Sequence, residues 1–151
     1  MGDEQELRVL IVEDEAILAM ELELILTDMG HHVVGSAMDT TRSLEIAARE
    51  HPDLALVDIN LRDGATGPEI ARRLVRDHGV AAIFITANPE QIPVGFSGAL
   101  GAMPKPFDET GIRDIVEFAR KFIRERELGQ PPKRFRMAPW LLTPPDDIKR
   151  H

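Results

Sequence analysis

Five residues of this chain have the types and the places to handle a phosphoryl group: Glu13, Asp14, Asp58, Thr86 and Lys105. Asp58 follows the apolar run Leu54-Ala55-Leu56-Val57 and precedes the break at Arg62-Asp63-Gly64. Glu13 and Asp14 close Arg8-Val9-Leu10-Ile11-Val12, Thr86 closes the run from Ala81 to Ile85, and Lys105 lies just past Gly101-Ala102-Met103-Pro104. Carboxylates crowded at one place repel one another unless they are protonated or neutralised by a cation. Hard oxygen donors on one or two loops, with room for water, suit Mg²⁺. A fixed lysine charge, a hydroxyl and a metal around one carboxylate would hold a phosphoryl group and spread its charge. Singly, each residue has a plainer account: an acid capping a strand, a solvated loop lysine, a strand-end hydroxyl. Together they need a scaffold that brings all of them to one edge.

The pattern along the chain predicts such a scaffold. The apolar runs at Arg8–Val12, Leu54–Val57 and Ala81–Ile85 read as strands buried on both faces, with a short strand at Val33-Val34. A helix begins at Glu15, with Leu18, Leu22, Ile25, Leu26 and Met29 on one face and Gly30 as its stop. Asp39 caps a helix holding Leu44, Ala47 and Ala48, which His51-Pro52 closes. Thr66-Gly67-Pro68-Glu69 opens a third helix, with proline in its first turn and Ile70, Leu74 and Val75 buried. Between Asn88 and Leu100, Pro89, Pro93, Gly95 and Gly98 permit a short helix at most. Gly101–Pro104 takes the slot of a fifth strand. Asp108 caps the strongest helix, whose face is Ile112, Ile115, Val116, Ala119, Phe122 and Ile123, with Phe118 off to one side. Strands alternating with amphipathic helices imply a doubly wound α/β fold, a five-stranded parallel sheet with helices on both faces and strand order 2-1-3-4-5. The carboxyl ends of parallel strands share one edge. That edge collects all five candidate residues.

Composition narrows the function. With 151 residues and 43% hydrophobic content, one domain with a real core is expected. A net charge of −8 argues against a nucleic-acid surface, and the lack of cysteine excludes disulfides, thiolate metal sites and cysteine nucleophiles. No apolar run approaches the ~20 residues that span a bilayer. With an acidic, polar amino terminus unlike a secretory signal, the expected setting is the cytoplasm. Residues 1–127 are expected to form the domain. Residues 128–151, punctuated by Pro131, Pro132, Pro139, Pro144 and Pro145, are expected to form a flexible tail whose Trp140 stretch anchors on a protein surface. The basic Lys133-Arg134-Phe135-Arg136 lies in that tail, too short for a DNA-binding module. His31, His32, His51, His78 and His151 show no ligand spacing.

Other phosphate chemistries fail on the same residues. No G-x-x-x-x-G-K-[ST] follows a strand, and the first strand leads into Glu13-Asp14-Glu15 rather than a glycine-rich turn. A haloacid-dehalogenase-type phosphatase needs an aspartate two residues beyond its nucleophile, where Asn60 stands.

Val12-Glu13-Asp14-Glu15, Val57-Asp58-Ile59-Asn60, Ile85-Thr86-Ala87 and Lys105-Pro106-Phe107 stand in an order and spacing that resemble the receiver domain of bacterial two-component response regulators, over roughly Leu7 to Glu127. The resemblance implies a flavodoxin-like fold and Asp58 as phosphoacceptor for a histidine kinase or a histidine phosphotransfer domain. It implies Mg²⁺ ligation by Asp14, Asp58 and the Asn60 carbonyl, with Glu13 acting mainly through water. Thr86 and Lys105 would bind the phosphoryl oxygens. Asn60 and Asn88 would flank the path of the hydrolytic water and set phosphate lifetime. Such a protein is no enzyme toward separate substrates; it assists its own phosphorylation and dephosphorylation, and signals by protein contact as a relay or a phosphoryl sink. A phosphorylation-independent binding module and a transcription factor working through the basic tail are the alternatives; the set Asp58, Thr86 and Lys105 weighs against the first, charge and length against the second.

The chain departs from the family at Ala102, where receivers often carry an aromatic switch three positions before the lysine. The Thr86 signal must then take another route, and Asn88–Leu100 is the expected one. In this, and in Ile83-Phe84-Ile85-Thr86-Ala87, the chain resembles the atypical receivers of alphaproteobacterial stress signalling. Ile17, Met20 and Leu24 form a second apolar stripe on the first helix, either extra core contact or, with the loop at Pro106, a docking face for a kinase.

Overall fold

The structure, a computed structural model, describes residues 5–142. Five parallel strands, β1 (Arg8–Val12), β2 (His32–Ala37), β3 (Leu54–Val57), β4 (Ala81–Thr86) and β5 (Gly101–Pro104), lie in the expected order 2-1-3-4-5. Helices α1 (Ala16–Asp28) and α4 (Glu109–Arg120) pack on one face. Helices α2 (Thr40–Glu50) and α3 (Gly67–His78) pack on the other. Alternation along each strand feeds both layers. In β1, Val9 and Ile11 meet Leu22, Leu26, Ile112, Ile115 and Val116, whereas Leu10 and Val12 meet Ile46, Ala47, Ile70 and Leu74. All four residues of β3 are buried. A fully buried Leu, Ile or Phe stabilises by about 1.5–3 kcal/mol and an exposed ion pair by about 0–1. The two apolar layers, not the many surface Arg–Glu pairs, therefore hold the sheet.

The helix starts follow the sequence. Asp39 accepts a hydrogen bond from the Arg42 N–H at 2.9 Å, and Asp108 accepts one from the Gly111 N–H at 2.7 Å. The segment between β4 and β5 holds only two 3₁₀ turns, Pro89–Gln91 and Phe96–Gly98. β2 is longer than the expected Val33-Val34. It is an outer strand of mostly exposed or half-exposed residues, so His32, Gly35 and Ser36 fit a ladder that apolar patterning does not reveal. On α2, Ser43 and Ile46 are buried with Ala47, while Ala48 faces out.

Beyond residue 128 the expectation of a tail outside the core is corrected. Arg136–Met137 form a sixth strand, β6, antiparallel to β5, pairing Gly101 with Met137 and Ala102 with Arg136. Phe135 is buried against Phe118 with ring centroids 5.1 Å apart, so Phe118 belongs to the core instead of lying beside it. The Trp140 indole N–H donates to the Ala99 carbonyl at 2.7 Å. An open edge of β5 would leave a row of backbone groups unpaired; this segment covers it. Residues 143–151 lie outside the described residues. Among those described, no helix is long and apolar enough to cross a membrane.

His31 is buried and accepts a hydrogen bond on Nδ1 from the Leu7 N–H at 3.0 Å. Burial, with smaller opposing and reinforcing charges nearby, lowers its pKa below the ordinary 6.5. Below pH 6.5 the unfolded chain therefore binds a proton that the folded chain refuses, so stability is lost as the pH is lowered through this range. His31→Asn, whose amide oxygen can accept the same bond without titrating, is expected to flatten that dependence in urea unfolding followed across pH 6.5. An unchanged slope would contradict this assignment.

Candidate functional site

Register brings the acids together. The Asp58 N–H donates to the Val12 carbonyl at 2.9 Å, so the ends of β1 and β3 lie side by side and Glu13-Asp14 stand next to Asp58. Carboxylate oxygens of Glu13, Asp14 and Asp58 all lie within 4.8 Å of one another. The Lys105 N–H donates to the Thr86 carbonyl at 3.0 Å, which fixes the lysine at the end of β4. Its Nζ lies 2.9 Å from Glu13 Oε1, 2.9 Å from Asp58 Oδ2 and 3.5 Å from Glu15 Oε1. Asp58 Oδ1 also accepts a bond from the Ile59 N–H at 2.7 Å.

The electrostatics follow from this packing. Burial pushes the Glu13 carboxyl above its usual range, offset in part by hydrogen bonds from Lys105 and from the Glu15 N–H. Burial also opposes the charge on Lys105, but its bonds to Glu13 and Asp58 outweigh that and hold its pKa above the ordinary value. A charged lysine thus serves as counterion to a nearly buried pair of acids. The cluster of hard oxygen donors fits a small divalent cation.

Other expected residues stand on the same rim. The Thr86 hydroxyl oxygen accepts a bond from the Asn88 N–H at 2.9 Å. The Asn60 amide donates to Gln91 Oε1 at 2.8 Å, tying the loop after β3 to the first 3₁₀ turn. Pro106 follows a cis Lys105–Pro106 bond and, with Leu18, Ala87, Phe107, Glu15, Glu21 and Lys105, lines a cleft of about 450 Å³ beside the cluster. Ile17, Met20 and Leu24 are not core: they are 74%, 62% and 69% exposed.

Sequence reasoning missed three contributors. Glu15 faces Lys105, and Gln91 holds Asn60; neither has a local signal, because both partners come from other elements. Gly67 begins α3 directly against the loop that carries Asp58: its N–H donates to the Ile59 carbonyl at 2.9 Å, and a side chain there would strike the Asp58 carbonyl oxygen. A glycine before proline at a helix start was the visible clue.

Comparison with known proteins agrees with this geometry. The family model described as Response regulator receiver domain matches residues 9–117. The chain is 35% identical over 124 residues to the phyllosphere-induced regulator PhyR of Methylorubrum extorquens, covering 79% of this chain and 46% of that protein. It is 33% identical over 114 residues to sporulation initiation phosphotransferase F of Bacillus subtilis, covering 73% of this chain and 90% of that protein. The solution structure of the Erythrobacter litoralis PhyR receiver domain superposes with a TM-score of 0.71 at 35% identity, covering 78% of this chain and 92% of that one. The chain spans 46% of PhyR and 58% of the transcriptional regulatory protein PdtaR of Mycobacterium tuberculosis, about half the length of these curated relatives. With its strand order, its acid–lysine edge and a family match over most of its length, the chain belongs to the response regulator receiver domain family.

Proposed function

We propose that Asp58 accepts a phosphoryl group from a phosphohistidine of a histidine kinase or histidine phosphotransfer protein, and that the modified domain signals by contact with a downstream protein. The observation that carries this reading is Lys105 Nζ, 2.9 Å from both Asp58 and Glu13 at the edge where the three carboxylates meet. In the transfer an Asp58 carboxylate oxygen forms a bond to phosphorus. The phosphorus–nitrogen bond breaks, and its electron pair returns to the imidazole. Lys105 and the Thr86 hydroxyl would take the phosphoryl oxygens. Asp14, Asp58 and the Asn60 carbonyl, with Glu13 through water, would hold Mg²⁺, which supplies countercharge to the transferring group. Asn60 and Asn88 would govern the approach of water and so the lifetime of the acyl phosphate. The name of the Bacillus relative, a phosphotransferase, is consistent with this chemistry.

Intact mass after incubation with a small phosphodonor and Mg²⁺ tests the reading. Wild type is expected to gain one phosphoryl group, and Asp58→Ala none. No gain in wild type would contradict it and favour a phosphorylation-independent binding module.

The exposed stripe Ile17, Met20 and Leu24, beside the cleft at Pro106, is the proposed kinase-docking face. Ile17→Glu or Met20→Glu should change stability by no more than about 0.5 kcal/mol, as exposed substitutions do. Each is expected to slow transfer from the cognate kinase about tenfold or more, since one charge in an apolar contact costs roughly 1–3 kcal/mol. Uptake from a small phosphodonor should be untouched. Equal kinase-dependent rates would remove these residues from the interface.

A further inference from the structure

The segment from Arg134 to Leu142 is fastened to the sheet at a handful of points, and two of them lead to the phosphoryl-binding edge. β6 contributes only two residue pairs to β5. Beyond them, the Ala138 N–H donates to the Leu100 carbonyl at 2.8 Å, and Trp140 donates to Ala99. Phe135 fills the space over Gly101, where a side chain would run into the Phe135 ring and the Arg136 carbonyl. Arg136 lies over the Phe96 ring at 5.6 Å. The first link to the site is Arg134, whose guanidinium donates to the Pro106 carbonyl at 3.2 Å, one residue beyond Lys105. The second is a cavity of about 140 Å³ whose lining includes Thr86, Ile92, Ala102, Pro104, Arg134 and Arg136. Thr86 thus shares one void with two arginines of the carboxyl-terminal segment. Ala102, which takes the place of a larger switch residue, contributes only a methyl to its wall.

We infer that residues 134–142 form a strap over the β5 edge that loosens when Asp58 is phosphorylated. The inference rests on the reading of Asp58 as phosphoacceptor. A phosphoryl group there draws the Thr86 hydroxyl and the Lys105 ammonium toward its oxygens. Moving Thr86 reshapes the cavity under Arg134 and Arg136, and moving Lys105 shifts the Pro106 carbonyl that Arg134 holds. A segment with two ladder pairs and few buried side chains sits at the low end of local stability, so small displacements at its attachments change how often it opens. Site and strap are then two positions of one coupled equilibrium.

Trp140 is the only tryptophan of the chain and reports on the strap directly. The full-length chain is treated with a small phosphodonor and Mg²⁺, and phosphoryl uptake, Trp140 emission and amide exchange are measured on the same sample. With uptake, the emission is expected to shift to the red and the Ala138 amide to exchange about tenfold faster, within the range usual for coupled sites. Asp58→Ala should show neither change. Coupling is reciprocal, so Gly101→Ala, which pushes the strap off β5, should bind beryllium trifluoride anion about fivefold or more tightly than wild type. Arg134→Ala should act in the same direction should Gly101→Ala not fold. A chain that carries the phosphoryl group while Trp140 and Ala138 stay unchanged, or become more protected, overturns this inference and leaves the receiver chemistry standing. A chain that takes up no phosphoryl group overturns both.

Discussion

Lys105→Met is expected to slow phosphoryl uptake by Asp58 about 10²–10³-fold, as loss of one preorganised charge stabiliser does. It should also lower the stability of the metal-free chain by about 3 kcal/mol, the low end for breaking a nearly buried ion pair. Methionine keeps much of the length and the apolar stem of lysine, so packing changes little. What is lost is the ammonium 2.9 Å from Glu13 and Asp58, on a side chain only 11% exposed. Glu13, already raised by burial, would lose the hydrogen bond from Lys105 that opposes the rise and would take up a proton more readily. Millimolar Mg²⁺ should recover part of the stability, because a ligand that binds only the folded state stabilises it. Urea unfolding in EDTA and in Mg²⁺, followed by far-UV circular dichroism, measures the stability change and its recovery, and the rate of mass gain with a small phosphodonor measures uptake. Equal midpoints for variant and wild type in EDTA would show that Lys105 is not the counterion of this cluster.

Gly67→Ala is the second large effect, and it acts through backbone rather than charge. The added methyl would stand 2.5 Å from Ile59 Cα and closer still to the Asp58 carbonyl oxygen. Neither neighbour is a flexible side chain that could swing aside. Relief requires α3 or the Asp58 loop to move. Overpacking of this kind costs typically 1–3 kcal/mol and here about 3 or more, since backbone meets backbone. Because the displaced loop carries Asp58 and Asn60, phosphoryl uptake should fall even at temperatures where the variant remains folded. Thermal unfolding and uptake measured together check this. A variant with wild-type stability would mean that the start of α3 does not press on the site.

Much of this was legible in the sequence, for a definite reason. Strands β1, β3 and β4 are buried on both faces, so each is an unbroken apolar run ending where its chemistry begins: Val12 before Glu13, Val57 before Asp58, Ile85 before Thr86. β2 extends past its apolar pair because an edge strand can be polar and still pair. β6 was not legible at all. Its two residues lie among prolines and acquire strand geometry only from the β5 edge they cover. Phe118 lies off the apolar stripe of its helix yet is buried for the same cause, since the ring that covers it, Phe135, comes from that segment. Local pattern reports local structure and repeated burial. Contacts such as Asn60 with Gln91, or Arg134 with Pro106, depend on where distant elements meet, and leave no periodicity to read.

The phosphoryl group is expected on Asp58 and on no other side chain. Borohydride reduces an aspartyl phosphate to homoserine, so a chain treated with phosphodonor and Mg²⁺, reduced, digested and sequenced by tandem mass spectrometry locates the acyl phosphate. Homoserine is expected at position 58, with Glu13 and Asp14 unchanged. An unmodified Asp58 alongside a phosphoryl group on another carboxylate, or on one of the histidines, would contradict this placement.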